Sequence, residues 1–185
     1  MNQQLRQDAD RIIADAIHAV LPDQAVIRAL DAASFPGRIR LVAAGKAAWQ
    51  MAQAASKTLG DSLECGVICT KYGHCGGKLP KITCCEGGHP IPDENSLRAT
   101  DAALSLVQGL TAQDTVLFLL SGGGSALFEK PLIPLHELQD ITQQLLASGA
   151  SIVEINAIRK RLSAVKGGRF AKGKIQAAAP SCCGP

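Results

Sequence analysis

The sequence has few aromatic residues: four Phe, one Trp and one Tyr among 185 residues. So small a stock of stacking side chains, together with a formal net charge of only +3, argues against a nucleic-acid partner. No apolar run approaches the roughly 20 residues that a membrane span requires, and the polar start MNQQLRQDAD predicts that there is no signal peptide. We therefore expect neither a nucleic acid nor a membrane as partner, and a cytoplasmic location.

Cysteine is present, but without the pattern of a disulfide framework or a zinc knuckle. The seven cysteines are an odd number and no secretory signal accompanies them, so we expect reduced thiols. Those in the first half of the chain lack paired C-x-x-C spacing, and most lie in or beside strand-like runs, where cysteine packs as a small apolar residue. The sequence therefore predicts no metal site among Cys65, Cys69, Cys75, Cys84, Cys85, His74 and His89.

Helix-like and strand-like segments alternate along the chain. Apolar residues make up 46% of it and charged residues 19%, which is typical of one globular domain with a sizeable core. Continuously apolar strands indicate a parallel sheet covered on both faces. The predicted fold is α/β, a Rossmann-like three-layer α/β/α arrangement with a mainly parallel sheet. The predicted strands are 38–43, 65–70, 81–85 and 115–120, and the predicted helices are 3–21, 46–60, 92–110, 134–149 and 151–168.

Some segments carry more specific expectations. Residues 3–21 have one apolar stripe at helical spacing, and Pro22 marks the end of that helix. TVLFLL (115–120) is apolar throughout, so we expect a strand buried on both faces. Ser151 and Glu154 form a capping-box pattern at the start of the last helix. The domain is placed at residues 1–172, and 173–185 is expected to be an unstructured tail.

Two loops that follow apolar strands carry the clearest functional signal. In an open parallel sheet, ligands bind beyond the carboxyl ends of the strands. Glycines let backbone N–H groups approach an anion, and a helix N-terminus adds partial positive charge. We predict that the two loops meet at one sheet edge and bind phosphate or carboxylate. The loops are Gly45-Lys46 after the first strand and Ser121-Gly122-Gly123-Gly124-Ser125 after TVLFLL.

Each of these residues also has a simpler interpretation. The glycines could only make a tight turn, and Lys46 could be an ordinary surface lysine. The sequence contains no P-loop and no G-x-G-x-x-G fingerprint.

Two further segments could add polar groups to the same site. The stiff loop EGGHPIPDENS (86–96) carries His89 and Asp93, the only local candidates for a general base. His89 could equally be a structural, hydrogen-bonded histidine. Arg159 and Lys166 belong to a basic run that suits either a cationic wall for phosphate or carboxylate, or a solvated face near a helix C-terminus.

Four separated motifs resemble the glycerate 2-kinase family, the MOFRL-associated kinases. They are LVAAGKAAWQMA, EGGHPIPDENSLRAT, LFLLSGGGSALFEKP and INAIRKRLSAVKGGRFA, and the resemblance covers about residues 5–172. It implies phosphorylation of D-glycerate to 2-phosphoglycerate with ATP and Mg²⁺. It also implies a catalytic role for Lys46, a cleft lined by Ser121 to Leu127, and a border of that cleft from Asn156 to Gly168.

In this family the active site lies between two domains, and here KGKIQAAAPSCCGP stands in place of the later segments. The resemblance therefore implies a first domain whose second domain, and most of the carboxylates that hold Mg²⁺, are missing. We expect little activity from the chain alone, and an uncovered face that could form a homodimer. The alternatives are an NAD(P)H-dependent hydroxypyruvate reductase, which would need the absent dinucleotide turn, and a non-catalytic anion-binding fragment.

Overall fold

The structure, a computed structural model, describes residues 3–172 and contains one four-stranded parallel sheet within them. The order across the sheet is β3-β2-β1-β4, and every neighbouring pair is parallel. All four carboxyl ends therefore lie at the same edge, which confirms the expected α/β fold with a mainly parallel sheet. The strands are β1 (Ile39–Ala44), β2 (Leu63–Lys71), β3 (Ile82–Gly87) and β4 (Thr115–Leu120).

Helices connect and cover the strands. None of the helices between residues 3 and 172 has the length and apolarity that a bilayer crossing requires. A short 3-10 turn at Gly60–Ser62 links the third helix to β2. The helices are α1 (Gln3–Ala19), α2 (Pro22–Asp31), α3 (Ala48–Leu59), α4 (Glu94–Leu106), α5 (Gly124–Leu127), α6 (Leu135–Ala147), α7 (Ile152–Arg161) and α8 (Arg169–Lys172).

The core has one apolar cluster on each face of the sheet. Successive residues of β1 point to opposite faces, so Leu41 packs with α2 and α3, while Val42 packs with α4 and Phe128. Both residues are fully buried. This division into helix, sheet and helix layers confirms the three-layer arrangement.

Strand β4 corrects the expectation of a strand buried on both faces. It is the edge strand next to β1, and Leu120 keeps 55% of its surface exposed. Phe118 is also exposed at 36%, although it stacks on Phe128 and Phe170 at centroid distances of 5.3 Å. Continuous apolarity alone cannot distinguish an edge strand from a central one.

The helical boundaries differ from expectation at both ends of the domain. Pro22 does not follow a helix end but opens α2, because proline suits the first helical turn. The apolar stripe of α1 has no cover within residues 3–172: Ile12 is 68% exposed and Ile17 58%. The helix predicted at 151–168 begins with the expected Ser151–Glu154 capping box but ends at Arg161.

Residues 162–168, between α7 and α8, are not helical. Ser163 there is fully buried and pairs with Pro131 in an isolated bridge, and Gly167 and Gly168 adopt positive φ. The expected tail at 173–185 lies outside the described residues.

Candidate functional site

The carboxyl edge of the sheet gathers polar residues from all four strands. Lys46 follows β1, Lys71 ends β2, His89 follows β3, and the segment 121–125, here called the glycine loop, follows β4. Parallel strands with aligned registers place these positions side by side. The edge therefore contains three basic residues and a glycine-rich turn.

The Lys46 turn and the glycine loop are in direct contact. The Lys46 N–H donates to the carbonyl of Gly122 at 2.8 Å, and the Ala47 N–H donates to Ser121 Oγ at 3.1 Å. Ser121 N–H in turn donates to the carbonyl of Ala44, the last residue of β1, at 2.9 Å. The predicted meeting of the two loops at one sheet edge is confirmed.

Close packing explains some of the glycines in these turns. Gly45 has φ +123°, and a Cβ on it would lie 2.2 Å from Ser121 Oγ. Gly123 has φ +89°, and its Cβ would lie 3.0 Å from the His89 ring and 3.2 Å from Lys46 Cγ. A Cβ on Gly124 would lie 2.5 Å from Leu120 Cδ1. The tight-turn interpretation therefore accounts for these three glycines.

Gly122 is not explained by packing. It is exposed, its φ lies outside the left-handed region, and a Cβ on it would meet nothing within 4 Å. In the part of the chain that the structure describes, the N–H groups of Gly122 and Gly123 have no hydrogen-bond acceptor. Unpaired N–H groups beside an exposed lysine are donors of the kind that bind anions.

His89 lies against the glycine loop in an electropositive environment. Burial lowers the pKa of its imidazole, and the positive charges of Lys46, Lys71 and Arg159 lower that pKa further. The ring is therefore neutral at physiological pH and can accept a proton. The same positive charges would attract an anion placed here.

Asp93 has a structural task that fully occupies its carboxylate. Oδ1 accepts from the N–H of Ser96 at 2.9 Å and caps α4 in a capping box, while Oδ2 accepts from the Tyr72 hydroxyl at 2.7 Å. Burial would raise the pKa of this carboxyl, but the hydrogen bonds from Tyr72, Ser96 and Gly88 outweigh it and hold the pKa below its usual range. Asp93 is thus better suited to fixing the loop than to accepting a proton.

Arg159 and Lys166 do not lie on a solvated face. Arg159 Nη2 donates to the carbonyl of Ser125 at 3.1 Å. Lys166 Nζ donates to the carbonyl of Phe128 at 3.3 Å and forms an ion pair with Glu129, whose side chain is 1% exposed. Burial lowers the pKa of both cations, and the charge of Glu129 opposes that shift. The two residues are therefore anchored beside the glycine loop.

Several residues of this edge carried no sequence signal. His74 Nδ1 lies 2.9 Å from the carbonyl of Lys46. Lys71 and Tyr72 reach this edge only because β2 ends there. Within residues 3–172, no group of three or more His, Cys, Asp or Glu side chains could hold a metal ion. The described part of this edge is therefore made of basic side chains and unpaired backbone N–H groups.

The chain is similar to known proteins in sequence and in fold. The chain is 52% identical over 172 residues to the D-glycerate 2-kinase of Thermotoga maritima, covering 92% of this chain and 41% of that protein. It is 42% identical over 181 residues to the glycerate 2-kinase of Pyrococcus horikoshii, covering 91% of this chain and 40% of that protein. The crystal structure of a glycerate kinase from Thermotoga maritima superposes with a TM-score of 0.87 at 51% identity, over 92% of this chain and 42% of that one.

The chain thus spans about two fifths of the length of the curated relatives it matches. Residues 8–182 match the family described as "Domain of unknown function (DUF4147)". That match extends over nearly the whole sequence and includes every residue of the sheet edge described above. The chain is a member of the DUF4147 domain family.

Proposed function

We propose that this chain forms the substrate-binding part of a D-glycerate 2-kinase, which phosphorylates D-glycerate to 2-phosphoglycerate at the expense of ATP. The observation that carries the proposal is the contact between Lys46 and the glycine loop: the Lys46 side chain packs against Gly123, and the N–H groups of Gly122 and Gly123 have no acceptor among the described residues. The relatives of this chain include proteins named for that activity. Both ligands of such an enzyme are anions.

The anion surface suits the groups that take part in this reaction. Lys46 is exposed and supplies a point charge for the carboxylate of glycerate or for the transferring phosphoryl group. The N–H groups of Gly122 and Gly123 supply fixed donors whose orientation needs no rearrangement during the reaction. Phosphoryl transfer depends mainly on such positioning and charge stabilisation.

His89 is the proposed general base. In the proposed step the C2 hydroxyl oxygen of glycerate forms a bond to the γ-phosphorus of ATP, the bond from that phosphorus to the bridging oxygen breaks, and ADP leaves. The hydroxyl proton passes to the neutral imidazole of His89, which lies against Gly123. Arg159 and Lys166 offset the negative charge that gathers on the transferring group.

Residues 3–172 do not fit a Mg²⁺ site, because hard cations require clustered oxygen ligands. We therefore propose that the metal ligands come from a second domain, and that residues 1–172 act as the first domain of a two-domain enzyme in the cytoplasm. The uncovered stripe of α1 and the exposed residues of β4 would then face protein in the complete enzyme.

A segment exchange tests the proposed function. Residues 8–172 would replace the matching segment of the Thermotoga maritima D-glycerate 2-kinase, and formation of 2-phosphoglycerate from ATP and D-glycerate would be followed by an enolase-coupled absorbance assay. We expect activity from the chimera and little from the 185-residue chain alone. A folded chimera that makes no 2-phosphoglycerate would refute the proposal, and hydroxypyruvate-dependent loss of NADH would favour a reductase instead.

Lys46→Ala and Lys57→Ala in the same chimera form a matched pair. Both lysines are exposed, but Lys57 lies in the last turn of α3, away from the sheet edge. We expect Lys46→Ala alone to lower turnover, while the unfolding temperatures of the two variants stay close. Equal turnover in both variants would remove Lys46 from the reaction.

A further inference from the structure

We propose that Glu129 is the positioning residue of this anion site: its buried carboxylate holds Lys166, and its charge favours the charged form of Arg159 beside the glycine loop. The inference rests on the proposed function, because it assumes that the loop binds an anionic substrate. Glu129 contacts neither substrate nor the reacting atoms in this account. It acts through the two cations.

The Glu129 side chain is buried, and its backbone is anchored to α4. Its side chain is 1% exposed, and its backbone N–H donates to Thr100 Oγ1 on α4 at 2.9 Å. Thr100 Oγ1 donates in turn to the carbonyl of Ser96 at 2.9 Å. Glu129 is also only two residues beyond the end of α5, the short helix that the glycine loop opens. Its side chain is therefore held in the interior, close in sequence to that loop.

One buried carboxylate faces two cations here. Oε2 accepts from Lys166, whereas Oε1 is a buried acceptor without a hydrogen-bond partner among the described residues. Arg159 Nε is likewise a buried donor without a partner in that part of the chain. Glu129 raises the pKa of Arg159 while burial lowers it. Two positive charges against one negative charge leave an excess of positive charge beside the loop, which an anionic ligand would neutralise.

Glu129 also favours the charged form of Lys166. Burial lowers the pKa of Lys166, Glu129 raises it, and the nearby charge of Arg159 lowers it. Lys160 lines, together with Lys166 and Ser125, a cavity of about 250 Å³. Without the carboxylate, a lysine surrounded by positive charges would release its proton at lower pH. The site would then lose positive charge as the pH rises.

The chain offers a matched control one residue further on. Lys130 Nζ forms an ion pair with Asp101 at 2.7 Å, but both side chains are partly exposed, at 41% and 50%. Asp101→Asn removes a carboxylate from a lysine pair in the same region without removing a buried charge. Glu129→Gln removes the buried one while keeping nearly the same shape.

The experiment measures anion binding and Lys166 titration in the 185-residue chain. Inorganic phosphate and 2-phosphoglycerate would be titrated calorimetrically between about pH 6 and pH 9, and the Lys166 side chain would be followed by NMR over the same range. For Glu129→Gln we expect about tenfold weaker binding, the scale of one charge-assisted hydrogen bond, with the loss growing as the pH rises. Lys166 should titrate at lower pH than in the wild-type chain, and Asp101→Asn should change neither property.

Each result decides between the two proposals. Wild-type-like affinity and an unchanged pH profile in folded Glu129→Gln would overturn the role of Glu129. If the wild-type chain binds neither anion, but Lys166 still titrates at lower pH in Glu129→Gln, the proposed function is refuted and the coupling between Glu129 and Lys166 stands. If Glu129→Gln does not fold, the double variant Glu129→Gln/Lys166→Met removes both buried charges; it should bind weakly at every pH, and wild-type affinity in it would overturn the inference.

Discussion

Replacing Gly122 by alanine should strengthen the fold and weaken the site. The new Cβ meets nothing within 4 Å and the backbone there needs no left-handed conformation, so the folded state accepts the methyl group without strain. Restricting the unfolded chain then adds about 0.4–1 kcal/mol to the free energy of unfolding. For a domain of this size that corresponds to a rise of about 1–4 °C in Tm.

The same methyl group enters open space beside the unpaired N–H groups of Gly122 and Gly123. We expect the affinity for phosphate or 2-phosphoglycerate to fall by about ten- to a hundredfold, which corresponds to the roughly 1.5–3 kcal/mol of a hydrogen bond to a charged group. Calorimetric titration measures the affinity, and thermal unfolding followed by circular dichroism measures the stability. The two quantities should change in opposite senses.

Gly149→Ala is the control for this prediction. Gly149 has φ +71° in the turn after α6 and also has open space around it, so an alanine there is strained and should lower the unfolding temperature. Because the turn does not belong to the sheet edge, anion affinity should stay unchanged. If Gly122→Ala binds anions as tightly as the wild-type chain, the glycine loop is not the anion site and the reasoning fails.

Three further predictions concern single side chains. In the chimeric kinase, Lys46→Ala should lower kcat by about 10²–10³-fold; a loss below twofold would contradict a role in the reaction. Asp93→Ala should destabilise α4 by about 1 kcal/mol. Because folding lowers the Asp93 pKa, the stabilisation by its carboxylate should be present above about pH 4 and vanish as the pH falls through the folded-state pKa. The difference in free energy of unfolding between variant and wild type should therefore shrink in acid, which urea unfolding at several pH values measures. Since the His89 pKa is also lowered, kcat/KM of the wild-type chimera should fall only below about pH 6.5. His89→Gln should abolish this fall at acidic pH. A fall that begins above neutral pH in the wild type would show that another group is titrating.

Much of the fold follows from local patterns in the sequence. The four strands lie within a few residues of their expected positions. Runs rich in β-branched and small apolar residues, as in Ile39–Ala44, favour a buried strand of a parallel sheet. The Ser151–Glu154 capping box appears as expected because its hydrogen bonds are local. The exposure of Leu120 could not be predicted, since it depends on which strand takes the sheet edge. α2 was missed because Pro22 fits a helix start as well as a helix end.

The candidate site likewise has a part that the sequence predicts and a part that it does not. The sequence predicts the meeting of Lys46 and the glycine loop, because each follows a strand of one parallel sheet. The pairing of Lys166 with Glu129 could not, because it depends on a return of the chain after α7 that no periodicity signals. The capping role of Asp93 was readable in principle from Asp93 and Ser96, but its bond to Tyr72 joins residues 21 positions apart.

Amide NMR of the 185-residue chain, titrated with D-glycerate and with 2-phosphoglycerate, tests most directly whether the carboxyl edge of the sheet is the anion site. The account predicts saturable shifts centred on the N–H groups of Gly122 and Gly123 and on His89, and their loss in Lys46→Ala. The exposed control Lys57→Ala should leave the shifts intact. Saturable shifts centred on residues away from this edge, or shifts at the edge that persist in Lys46→Ala, would contradict the account.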